Sequence, residues 1–184
     1  RDLHSFPTRR SSDLLVHKKH LFLLLLLAFC APMVANAQSL TVCNGTATNA
    51  FIPVYGYSAD WYGTTSEFII PSTGLSAMNG MDISSLTFYL SSPAEDPWGA
   101  TFKVYMKEVP ETTLTGVYGP DDCYIVYTGE LNGTGSTMSI TFDNNYTYQG
   151  GNLLIGTFVS YAGIYASASF YGISTSTASA YVDH

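Results

Sequence analysis

A chain of 184 residues is long enough for one domain with its own core, and its charge distribution is lopsided: from Gln38 onward the basic side chains are Lys103 and Lys107, set against twelve carboxylates. Such a surface repels phosphate backbones, which excludes nucleic-acid binding. The same stretch holds one histidine, His184, so neither a Ser-His-Asp nor a Cys-His constellation can find its internal base.

Taken in chain order, Arg1 to Leu14 resembles a translated sequencing adapter and is set aside as a non-native segment. Residues 15–37 have the three parts of a secretory signal peptide: the basic His17-Lys18-Lys19-His20, the apolar run Leu21 to Ala31, and the small-residue pattern Ala35-Asn36-Ala37 before Gln38. The apolar run is shorter than the roughly 20 residues of a spanning helix, so no permanent membrane span is expected. Cys30 would serve a lipoprotein signal, but bulky Phe29 precedes it. The reading is an exported protein, secreted or displayed at the cell surface, cut near Ala37/Gln38.

Residues 38–184 are then the folded domain. They carry all fourteen tyrosines and both tryptophans and are rich in Ser, Thr, Gly and Asn, a composition of strands and turns. Strands are predicted over Phe51–Tyr55, Glu67–Ile70, Ile83–Leu90, Thr101–Lys107, Ile125–Leu131, Thr137–Phe142, Leu153–Val159 and Ser169–Ile173. Leu86, Phe88 and Leu90 alternate with Thr87 and Tyr89, and Phe102, Val104 and Met106 alternate with Lys103, Tyr105 and Lys107, so each strand has one core face and one wetter face. The run Asn152 to Val159 is more continuously apolar than the other strands, as expected of a central strand covered on both sides, and Gly156 within it marks a close approach or a bulge. Gly and Pro clusters punctuate the gaps, and Ser76 to Gly80 is treated as a loop with one helical turn at most. The fold class read from this pattern is all-β: an antiparallel two-sheet sandwich of jelly-roll type.

The runs Thr41–Asn49, Pro53–Tyr57, Leu86–Ser92, Val104–Val109 and Gly150–Gly156 together resemble a module found near the N-terminus of large secreted surface proteins of Bacteroidetes, over Ser39 to Tyr181. The resemblance implies a β-sandwich, extracellular display and an adhesin-like or accessory role in a longer multidomain chain. It brings no catalytic residues. Because no second domain follows before His184, the domain is expected to be truncated at its C-terminal end.

Side chains with chemistry to offer are few. Cys43 and Cys123 either form a disulfide, closing a loop of about 80 residues worth on the order of 4 kcal/mol, or remain two free thiols. They are too far apart in sequence for a zinc site. Glu67, Glu108 and Glu130 fall on predicted strands, but nothing pairs them as glycosidase carboxylates. Asp121-Asp122 and Asp143-Asn144-Asn145 could offer oxygens to calcium, yet neither has an EF-hand spacing and both fit turns that bond their own backbone. No cofactor or metal is assigned. The remaining cluster is Tyr57, Asp60, Trp61 and Tyr62 in one loop, with Trp98 as a second candidate: flat rings stack on a sugar face while a carboxylate accepts hydroxyl hydrogen bonds. For Trp98 the favoured reading is a cap on the core. The function expected is therefore a non-catalytic binding module for carbohydrate or glycoprotein. The alternatives are a structural spacer, or an accessory domain of a larger hydrolase or protease.

Overall fold

The computed structural model describes residues 38–184; the adapter-like segment, the signal peptide and Cys30 lie outside the described residues. Alternating side chains need a face to bury, and nine strands among the described residues supply two such faces. They are β1 (Ala47–Asn49), β2 (Thr65–Ile70), β3 (Asp82–Ser92), β4 (Thr101–Val109), β5 (Tyr124–Gly129), β6 (Thr137–Thr147), β7 (Asn152–Tyr161), β8 (Ser169–Gly172) and β9 (Ala180–Asp183). One sheet has the order β1-β8-β3-β6 and the other β5-β4-β7-β2-β9, with every pairing antiparallel. Only β4 and β5 follow one another within a sheet; every other connection crosses to the opposite layer. The protein is thus a β-sandwich with its main core between the layers.

That core is built by the period-two pattern. Phe102, Val104 and Met106 of β4, Leu153, Ile155 and Val159 of β7, and Met138, Ile140 and Phe142 of β6 all point into it. The central place of β7, between β4 and β2, matches its more continuously apolar run.

Three features depart from the sequence reading. Phe51 to Tyr55 is not a strand: β1 ends at Asn49, whose side-chain oxygen accepts the amides of Phe51 and Ile52 at 2.6 and 3.0 Å, and the Ile52–Pro53 peptide is cis. An Asn that satisfies the next amides turns the chain out of its ladder. A strand not predicted, β9, pairs with the edge of β2. Lastly, Tyr105 on the wetter face of β4 is fully buried, while Lys103 and Lys107 on the same face stay part-exposed.

That outer face is covered by the connection 110–123, which folds back over its own sheet. Leu114 packs there with Ile69, Val109 and Leu154, and Tyr118 and Cys123 border them. Glu67 of β2 and Tyr105 of β4 are both fully buried beneath it, in line across the sheet with Gly156 between them in register. A Cβ on Gly156 would overlap the Tyr105 ring, which identifies this glycine as the close approach expected of it.

Candidate functional site

Aromatic side chains left in water on a sandwich with a filled core call for a reason. Tyr89, Tyr124, Tyr161, Tyr171 and Tyr181 are exposed on or beside the strands, and the others gather along the loop 51–62 and the loop 162–168. The Phe51 and Tyr55 ring centroids are 4.9 Å apart, those of Tyr55 and Tyr57 5.9 Å in near-parallel planes, and those of Tyr57 and Tyr165 4.1 Å. His184 sets its imidazole edge on Tyr55 at 5.6 Å. Phe51, Tyr57 and Tyr165 are each about half exposed, so the row lies open.

A buried tryptophan braces both loops. Trp98 is 1% exposed and its indole N–H donates to the Ala166 carbonyl at 2.6 Å. Gly56 and Gly133 lie against the indole so closely that a Cβ on either would collide with it. Its own carbonyl accepts the amide of Ile164 at 2.7 Å, and Gly163 and Ala166 donate to the carbonyls of Ala59 and Gly56. The ring therefore ties loop 162–168 to loop 56–59. Trp98 is the cap on the core that the sequence reading favours, and its place as a second ligand-contact candidate is corrected, because a ring at that depth offers no face to a ligand.

Of the other residues singled out from sequence, Tyr57 is a member of the row and Asp60 is exposed beside it. The Tyr165 phenol is pushed up to about 12, first by the Tyr57 hydroxyl that faces it as a hydrogen-bond partner, with Asp60 adding negative charge nearby. Trp61 and Tyr62, 63% and 66% exposed, stand on the same loop. Tyr62 turns toward the outer face of the five-stranded sheet and meets the edge of Phe158 at 5.7 Å. The loop carrying them is fixed: Thr64 bonds the Ser58 and Trp61 carbonyls through its hydroxyl, and Gly63 donates to Val159 of β7.

The sequence reading missed Phe51, Tyr55, Tyr165 and His184 as members of this surface. The available signal was the aromatic content of glycine-bearing segments between strands, Val54-Tyr55-Gly56 and Tyr161-Ala162-Gly163-Ile164-Tyr165. Strand assignment hid the first, and distance along the chain hid the pairing of the two.

The remaining candidates are occupied elsewhere. Glu67 accepts the Tyr105 hydroxyl at 2.6 Å and the amides of Tyr118 and Gly119, the last at 2.8 Å. Glu108 accepts the amides of Gln149 and Gly151 at the turn between β6 and β7. Glu130 is exposed at the end of the β5 hairpin, where its carbonyl accepts the Tyr127 hydroxyl. The three carboxylates serve three separate places. Asp143, Asn144 and Asn145 lie within β6 rather than in a loop, and Asp143 accepts the Thr128 amide at 3.0 Å, closing the edge of β5. Among the described residues no group of three His, Cys, Asp or Glu side chains converges. Cys43 and Cys123 are both free thiols, one exposed before β1 and the other half-buried under the outer cluster of the opposite sheet. An open hollow of about 250 Å³ is formed by Glu111 to Tyr118 of the covering connection, away from the aromatic row. Set against protein-family models, curated proteins and solved structures, the chain shows no significant match.

Proposed function

We propose that the protein is a non-catalytic, exported binding module that takes carbohydrate or the glycan of a glycoprotein on the row Phe51, Tyr55, Tyr57 and Tyr165, with Trp61 and Tyr62 flanking it. The observation that carries this reading is an exposed, contiguous set of aromatic rings mounted on two loops that a buried tryptophan locks together. Rings of this kind supply flat apolar surface at low entropic cost, and their hydroxyls with Asp60 supply the few directed hydrogen bonds that orient a sugar. The strand orders β1-β8-β3-β6 and β5-β4-β7-β2 support a jelly-roll winding of the first eight strands, with β9 as an addition at the edge. The five sequence runs that resemble secreted surface modules, and the signal-peptide pattern before Gln38, support export and adhesion. Membership of a longer secreted protein belongs to the same reading.

Retention in native gels cast with soluble polysaccharides tests it. The protein should be slowed by at least one glycan, and both Tyr57→Ala with Tyr165→Ala and Trp61→Ala with Tyr62→Ala should weaken the retention about tenfold or more while the near-UV signal of buried Trp98 persists. Normal migration of the unaltered protein on every glycan would leave a spacer role in place of a binder.

A further inference from the structure

We infer that the aromatic row selects uncharged glycan chains and rejects anionic ones. The inference rests on the carbohydrate-binding reading and narrows it to a ligand class.

An anionic sugar, whether uronic, sialylated or sulfated, is recognised through Arg or Lys, whose charge replaces the water lost from the anion. The two lysines among the described residues stand outside the row of Phe51, Tyr55, Tyr57 and Tyr165, Lys103 being the nearer of the two through Phe158, the ring that Tyr62 meets. Both stand on β4, on the outer face of the five-stranded sheet: Lys103 is in register with Phe158 and Thr128, and the Lys107 ammonium sits over the Tyr118 ring at 5.1 Å. The charged carboxylate beside the row is Asp60, whose field reaches Tyr165. An anion stacked on Tyr57 and Tyr165 would meet that carboxylate with no lysine or arginine on the row to offset it, and the strongly negative domain would slow its approach at any distance within a Debye length. A neutral sugar meets no such cost. Its ring hydrogens lie on the tyrosine faces, and its hydroxyls find the phenolic oxygens of Tyr57 and Tyr165, which accept and donate hydrogen bonds.

Length follows from the same geometry. Four rings in successive contact, from Phe51 through Tyr55 and Tyr57 to Tyr165, make a surface longer than one pyranose covers. Affinity should therefore climb with the number of sugar units until the row is filled, as added contacts share one loss of translational freedom.

The test compares retention on three neutral polysaccharides, mixed-linkage β-glucan, xyloglucan and galactomannan, with retention on polygalacturonate, hyaluronan and heparin, all at low salt. Retention on at least one neutral glycan and none on the anionic set is expected, with oligosaccharides of that neutral glycan competing at least tenfold better as tetramers than as dimers. Asp60→Lys should then bring retention on polygalacturonate that the unaltered protein lacks. Retention strongest on an anionic glycan would overturn the selectivity while leaving carbohydrate binding intact. Absence of retention on all six would overturn both.

Discussion

Glu67 is a carboxylate with no exposed surface and no lysine or arginine among its hydrogen-bond partners; a tyrosine hydroxyl and two backbone amides satisfy it. Burial of a polar group is tolerable when every partner is supplied, and the penalty falls on whatever is left when one is removed. Glu67→Ala orphans the Tyr105 hydroxyl and the amides of Tyr118 and Gly119 together, so it should cost about 3 to 5 kcal/mol in urea unfolding. Tyr105→Phe removes one donor and leaves the amides in place, so about 1 to 2 kcal/mol is expected. Equal losses from the two variants would mean that the Tyr105 hydroxyl bond accounts for the whole contribution of the carboxylate and the two amide bonds for none of it. One polar atom in the same region stays unsatisfied, the Ser66 hydroxyl, and nothing in the structure explains it.

At the scale of elements, the loops 51–62 and 162–168 come from opposite ends of the chain and meet over Trp98. The indole has its bond to Ala166, an edge contact with Phe102 at 5.8 Å, and the close backbones of Gly56 and Gly133. Trp98→Ala should cost about 3 to 5 kcal/mol, the range for emptying a large aromatic site in a core. It should also weaken glycan retention well beyond what the unfolded fraction explains, because Tyr57 and Tyr165 lose the brace that sets their spacing. Retention that merely tracks the folded fraction would make Trp98 a core residue with no part in the site. The covering connection 110–123 follows the same logic on the other sheet, where Gly156 leaves the space that the Tyr105 ring fills.

For the whole molecule, ionisation above neutral pH works against the fold. Burial, then the charge of Glu67, pushes the Cys123 thiol from its ordinary 9.0 up to about 11, and burial with the same carboxylate pushes the Tyr105 phenol far above its ordinary range. Groups whose folded pKa is raised hold their protons more tightly when folded, so the folded state binds more protons than the unfolded one in that window. Stability should hold below pH 9 and fall as pH rises through 9 to 11, read as a declining urea midpoint. Cys123→Ala should flatten the first part of that fall. A midpoint unchanged to pH 11 would contradict the burial of these two groups. The strong negative charge of the domain adds to the effect at high pH, since each new thiolate or phenolate joins a surface already crowded with carboxylates.

Local pattern sufficed for much of this protein. The alternation of Phe102, Val104 and Met106 with Lys103 and Lys107, the apolar run of β7 and the turn residues between strands determined a two-layer antiparallel sandwich, because a strand's period of two assigns each side chain to a face without reference to the rest of the chain. The loop position of Tyr57, Asp60, Trp61 and Tyr62 was legible in the same way. What covers a face, and which loops become neighbours, depends on contacts between segments far apart in sequence, and no local period encodes those. Tertiary structure alone decided that Tyr105 is dry beneath the 110–123 connection, that the buried Trp98 ties two distant loops together, and that Tyr165 meets Tyr57 to complete the row.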